Sequence, residues 1–127
     1  LDDNVGSMYI LDKRDGDPHW RVYFDNTSSI YLLADSGTPF VMVSVTSISV
    51  GVWYHVAFVN DGTNLIPYKD SSAGTTASST SLGTLTSSHP IYIGTNKNQS
   101  SSSLRGQLDE VRIYTKALSA TEIAKKL

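Results

Sequence analysis

Val52-Trp53-Tyr54-His55-Val56-Ala57-Phe58-Val59, ended by Asn60-Asp61-Gly62, is the stretch on which the fold turns. Eight consecutive residues carry apolar or aromatic side chains at both odd and even positions. A strand exposed on one side alternates apolar with polar, whereas a strand covered on both faces does not. The run therefore predicts a central, doubly covered strand, and Asn-Asp-Gly predicts the tight turn that closes it.

Upstream, Val41, Val43 and Val45 are odd-numbered, while Ile48 and Val50 are even-numbered. A strand cannot change phase without an extra residue, so a bulge or break is expected near Thr46-Ser47. Further back, Ile30-Tyr31-Leu32-Leu33 and Met8-Tyr9-Ile10-Leu11 read as short strands bounded by turn clusters. In Trp20-Arg21-Val22-Tyr23-Phe24-Asp25, Trp20, Val22 and Phe24 share one face, and Arg21, Tyr23 and Asp25 the other. Asn26-Thr27-Ser28 is a turn.

Downstream, Leu65-Ile66-Pro67-Tyr68 is a strand with a residue that cannot donate a ladder hydrogen bond, which predicts an edge or irregular strand. Residues 71–88 hold twelve Ser or Thr. A disordered linker and a solvated strand pair both fit that composition. The strand preference of Thr75, Thr76, Thr80, Leu82, Leu85 and Thr86 favours the pair, with its turn at Ser78-Ser79. Pro90 to Gly94 is a short strand and Asn96 to Ser103 a polar loop. In Leu108 to Tyr114, Asp109, Val111 and Ile113 face one way, and Glu110, Arg112 and Tyr114 the other. This predicts the last strong strand. Ser119 with Glu122 three residues on forms a capping box, and Leu118 can staple to Ile123, so one short helix closes the chain.

Nine or ten short strands with turn signals every 8 to 12 residues predict a single all-β domain over residues 1–127, an antiparallel sandwich or barrel. The composition agrees: Ser and Thr together make 31 residues and Glu occurs only at 110 and 122. Of 127 residues, ten are Lys or Arg and twelve Asp or Glu, giving a formal charge of −2. No basic run beyond Lys125-Lys126 exists, so nucleic acid is not an expected partner. No apolar stretch approaches the roughly 20 residues of a membrane helix, so no membrane insertion is expected. The absence of cysteine rules out disulfides, cysteine–zinc sites and thiol catalysis. The chain opens Leu1-Asp2-Asp3 without Met or signal peptide, which reads as a mature fragment or an excised domain.

Three segments in order resemble the LamG-like jelly-roll modules of the concanavalin A-like lectin/glucanase superfamily. They are Gly51 to Gly62; Pro90-Ile91-Tyr92-Ile93-Gly94; and Gly106-Gln107-Leu108-Asp109-Glu110-Val111-Arg112-Ile113-Tyr114, continuing Lys116 to Ile123. The resemblance implies a concanavalin A-like sandwich from near residue 8 to the end. Such modules begin with one or two strands before the point matching Leu1, so an N-terminal strand is expected to be missing, supplied by preceding sequence or by a neighbouring chain completing the sheet. The family's Tyr-Val-Asp/Asn-Gly turn is replaced by Pro67-Tyr68-Lys69-Asp70-Ser71, without its glycine.

The superfamily includes glycosidases, which need two carboxyl groups on one wall about 5–9 Å apart. Asp109 and Glu110 are adjacent and on a strand point to opposite faces, and no Glu-x-Asp-x-x-Glu strand is present, so no enzyme is expected. Glu110 is expected to pair with Arg112 or solvent. His19, His55 and His89 are isolated from any Ser–Asp constellation and lack metal-ligand spacing. Hard oxygen ligands for calcium could come from Asp12, Asp15 and Asp17, or from Asn60 and Asp61 with Asn64, although Asp-Gly and Asn-Asp-Gly are also ordinary turn chemistry. For a glycan, the candidates are Tyr23 with Arg21 and Asp25, and Tyr114 with Arg112. Asn26-Thr27-Ser28 and Asn98-Gln99-Ser100 are glycosylation sequons. The reading is an extracellular or cell-surface, non-catalytic module contacting glycan or protein. The alternative is a structural or decoration domain of a virion, phage tail or surface filament.

Overall fold

The computed structural model describes residues 6–14, 19–37, 40–83, 85, 87–97 and 102–126. Nine strands and one helix follow in chain order: β1 (Met8–Lys13), β2 (His19–Phe24), β3 (Ile30–Asp35), β4 (Phe40–Val45), β5 (Val56–Asn60), β6 (Asn64–Lys69), β7 (Ser72–Ala73), β8 (Ala77–Ser78), β9 (Tyr92–Ile93) and α1 (Ala120–Ala124). One antiparallel sheet runs β4-β3-β2-β1-β9; the second runs β5-β6-β7, with β8 also on β6.

The core between the sheets follows from alternation. Val22 and Phe24 of β2, Ile30, Leu32 and Ala34 of β3, and Val41, Val43 and Val45 of β4 are buried on one side. Leu65, Leu82, Phe58 and Val56 meet them from the other. At roughly 25 cal/mol per Å² of apolar surface, this alternation holds the two layers together. The expected phase break is present: β4 ends at Val45, Ser47 takes φ +59, and Ile48 re-enters the core. Lys69 Nζ donates to the Thr46 carbonyl at 3.0 Å across that break.

The β1–β2 register shifts between Tyr9 and Leu11. The bulge moves Leu11 opposite Val22 and places Asp12 opposite Arg21, where its side chain is fully buried.

Four expectations are corrected. The doubly covered strand is shorter than expected, Val56–Asn60, and stands at the end of its sheet. Its two apolar faces have separate covers: Val56 and Phe58 join the main core, while Ala57 and Val59 pack with Tyr68, Ile66, Leu118 and Ile123 beneath the C-terminal helix. Val52 and Trp53 remain unpaired and exposed.

Conversely, β6 is interior to its sheet. Pro67 is accommodated because β6's second neighbour is split. β8 pairs with Asn64 and Leu65, β7 pairs with Tyr68 and Lys69, and the gap falls at Ile66-Pro67, where an amide is missing. The chain crossing the gap approaches closely, and a Cβ on Gly74 would lie 3.2 Å from Pro67 Cγ. The Ser/Thr-rich segment therefore forms two short rungs on β6 that run in the same direction rather than a hairpin, and the turn expected at Ser78-Ser79 falls one to two residues later, where Leu82 N donates to the Ser79 carbonyl at 3.0 Å.

Finally, residues 108–114 form no strand; Leu108, Val111, Ile113 and Tyr114 are exposed. Their alternation is genuine, but among the described residues no neighbouring strand offers them a ladder.

The capping box forms as read. Glu122 N donates to Ser119 Oγ at 3.3 Å, and Ser119 N donates to Glu122 Oε2 at 2.8 Å. Lys116 Nζ donates to the other Glu122 oxygen at 2.7 Å. These bonds, Lys116's first, hold the Glu122 carboxyl at about 2. Ile123 is buried and anchors the helix on β5 and β6.

Candidate functional site

The outer face of the larger sheet gathers one of the two expected ligand groups. Cross-strand registers place Tyr9 opposite Tyr23, Tyr23 opposite Tyr31, and Asp12 opposite Arg21. Side chains directly opposite in an antiparallel pair share a face, so these residues form two adjacent rows. Tyr23 stacks on Tyr31 with centroids 5.4 Å apart and an interplanar angle of 17°. Tyr9 tilts against Tyr23 at 6.4 Å. Arg21 Cζ lies 5.5 Å from the Tyr23 centroid, and Arg14 Cζ 5.5 Å from that of Tyr9. Both are cation–π distances. Burial pushes the Tyr23 phenol above its usual value, with Arg21 opposing and Tyr31, Asp25 and Tyr9 adding to the rise.

This arrangement differs from a free aromatic platform. Tyr31 and Arg21 lie against the Tyr23 ring. The row combines phenol hydroxyls and guanidinium groups, a chemistry for hydrogen bonding rather than open stacking. The Tyr23 hydroxyl donates to Met42 Sδ at 3.5 Å, and the Tyr9 hydroxyl accepts from Arg14 Nη2 at 3.5 Å.

Asp25, grouped with Arg21 and Tyr23 in the sequence, is committed to the β2–β3 turn. Its Oδ1 accepts from Thr27 N at 3.0 Å and Ser29 N at 3.2 Å, and its Oδ2 from Thr27 Oγ1 at 2.6 Å. Burial acts to raise its pKa, but these bonds, together with one from the Tyr31 hydroxyl, outweigh it and leave the carboxyl below its ordinary value. Arg112 and Tyr114 stand on the exposed, unpaired segment. Glu110 carries an ion pair with Arg112, as expected, and no contact joins either group to the tyrosine row among the described residues.

The expected calcium ligands separate. Asp15 and Asp17 lie outside the described residues, as does the Asn98 sequon. Asn60 Oδ1 accepts from Gly62 N and Ser79 Oγ, and Asp61 Oδ1 accepts from Thr63 N and Asn64 N. Backbone amides of Asn64 and Thr63 hold Asp61 below its ordinary pKa. That pair is turn chemistry. Asp12 is different: it is fully buried, and neither carboxylate oxygen has a partner. Arg21 Nε, on the neighbouring strand, is likewise buried without one. An unpartnered buried carboxylate is costly, and a bound cation removes that cost. The donor type fits calcium; the described residues contain no cluster of three His, Cys, Asp or Glu to complete a site.

Tyr9, Tyr31 and Arg14 were not assigned to the site by sequence. Tyr31 is stacked on Tyr23 only by strand-to-strand register, and no single strand's pattern carries that register. A shallow cleft of about 520 Å³ lies between β4 and residues 72–77, lined by Ser44, Thr46, Lys69 and Asp70, and includes none of the expected ligand residues.

Two facing antiparallel sheets, a short C-terminal helix and a tyrosine–arginine outer face define a lectin-like sandwich. The chain belongs to the Laminin_G_3 family of the concanavalin A-like lectin/glucanases superfamily, whose model matches residues 1–124. Among solved structures, it is similar to an S-layer domain-containing protein from Clostridium thermocellum ATCC 27405. Identity is 24% over 99% of this chain, the TM-score is 0.50, and the chain spans 65% of that protein's solved length. A search of curated proteins finds no match. No helix among the described residues is long and apolar enough to cross a membrane.

Proposed function

We propose that the chain is a non-catalytic cell-surface module that holds a glycan against the outer face of the β4-β3-β2-β1-β9 sheet. The observation that carries this reading is the Tyr9–Tyr23–Tyr31 row with Arg14 and Arg21 laid over it. Three strands present phenols and guanidinium groups side by side, so an extended chain of hydroxyl-bearing rings meets a donor and acceptor at each strand. The family supports a binding role, and the name of the S-layer protein supports a surface setting; fold alone does not assign a ligand. Glycan-array screening is the test. Binding lost in Tyr23→Ala and retained in Tyr114→Ala is expected. Loss only in Tyr114→Ala moves the site to the C-terminal segment, and no binding to any glycan overturns the proposal.

Calcium is the expected ion at Asp12, on the strength of its two unpartnered, buried oxygens. Added calcium then raises the melting temperature of the wild type and leaves Asp12→Asn unmoved. An equal rise in both proteins removes Asp12 from any ion site.

A further inference from the structure

We infer that the cleft between β4 and residues 72–77 is a second subsite, which takes the next sugar, a neutral pyranose, of a glycan running off the tyrosine row. The inference rests on the glycan reading of that row and carries it one strand further. Register supplies the continuity. Ser44 stands opposite Tyr31, on the same face and one strand beyond it, and Ser44 lines the cleft. Met42, which accepts from the Tyr23 hydroxyl at 3.5 Å, lines it too. At about 520 Å³ the cleft falls within the roughly 300–1,000 Å³ of small-molecule sites.

The lining defines the chemistry. Ser44, Thr46, Ser72, Thr75 and Thr76 bring hydroxyls, and among the described residues none of these side chains bonds to another protein group. Asp70 Oδ1 accepts from His55 N at 3.0 Å, and its Oδ2 has no partner among the described residues. Lys69, the cation of the lining, is already engaged. Its Nζ donates to the carbonyls of Thr46 at 3.0 Å and Ser47 at 3.4 Å, and lies 5.4 Å from the Tyr54 centroid. A recess with a carboxylate, several hydroxyls and no available cation disfavours an acid and suits a neutral polyol. The walls are fixed before any ligand arrives. Lys69 straps β6 to the residues that follow β4, Gly74 N donates to the Pro67 carbonyl at 2.8 Å, and a Cβ on Gly74 would lie 3.7 Å from the Ser44 carbonyl oxygen. Pre-formed walls lower the ordering cost of binding.

Neighbouring strands lie about 4.8 Å apart, close to the length of one pyranose unit, so three units cover β1 to β3 and a fourth reaches β4 and the cleft. The test is calorimetric titration of the chain with neutral oligosaccharides of three to six units, in the linkage a glycan array selects. Affinity is expected to rise about tenfold from three units to four, the worth of one hydrogen bond to a charged group. In Asp70→Asn, whose amide oxygen still accepts from His55 N, and in Thr76→Trp, which sets a large ring in the cleft wall, the four-unit glycan falls back to the affinity of the three-unit one. Uronic-acid chains of the same linkage show no such step. An affinity level from three units to six overturns the inference. So does a step that survives both variants, or an equal step with the uronic-acid chains. In each of those cases three-unit binding that is lost in Tyr23→Ala still upholds the row; a protein that binds no glycan overturns row and cleft together.

Discussion

Replacing Ser71 by glycine is expected to stabilise the chain. Asp70 and Ser71 alone link β6 to β7, with φ of +47 and +65, and Lys69 pairs with Ser72 across them. Both residues occupy the left-handed region that a two-residue type I′ hairpin demands and that Asn-Gly ordinarily fills. Left-handed backbone costs a residue with a Cβ roughly 1–2 kcal/mol. Glycine's larger freedom in the unfolded chain takes back about 0.4–1 kcal/mol, leaving a net gain of about 0.5–1 kcal/mol. Asp70 behaves differently, because its carboxylate accepts from His55 N at 3.0 Å while its own N–H donates to the His55 carbonyl at 2.9 Å. Asp70→Gly relieves the same strain but loses the side-chain bond, worth about 1 kcal/mol, and comes out near neutral. At about 2.1 cal/mol/K per residue, the unfolding entropy of the chain is about 0.27 kcal/mol/K, so Ser71→Gly raises the melting temperature by about 2–4 °C. Urea denaturation should show the same order: Ser71→Gly above wild type, with Asp70→Gly close to it and Ser71→Ala no higher. A midpoint for Ser71→Gly at or below that of Ser71→Ala would mean that left-handed strain is not what this turn carries.

Other outcomes follow from the helix and the core. Ser119→Ala removes the side-chain acceptor of the capping box and is expected to cost about 1 kcal/mol in chemical denaturation. The Glu122 carboxyl is held at about 2 against an ordinary 4.5, so the folded state binds its proton less readily than the unfolded chain does. Its contribution is present above about pH 4.5 and is lost as the pH falls towards 2; Glu122→Gln should flatten that part of the stability–pH curve. Leu82 is 1% exposed within the main core, and Leu82→Ala is expected to lower stability by about 2–5 kcal/mol, read from the denaturation midpoint.

The strands that face a core on one side were legible because alternation is written into each strand separately. Val22 with Phe24, and Val41 with Val43 and Val45, went inward as their spacing required, and Ser47 supplied the phase change that Ile48 announced. What could not be read was which strand lies beside which. Val56 to Val59 is apolar on both faces, and that pattern is the same whether the second cover is a strand, a sheet or a helix; here it is α1. Pro67 signals a missing amide but not that the neighbouring strand will divide around it. The tyrosine row depends on two registers, β1 with β2 and β2 with β3, and neither leaves a mark in the local pattern.

The division around Pro67 has a consequence for tolerance to change. The chain from Gly74 to Thr76 is fastened by short rungs at either end, while Thr75 and Thr76 point into water. Extra residues spliced between Thr75 and Thr76 can therefore balloon outward without shifting either attachment, which makes this span a natural port for grafted peptides.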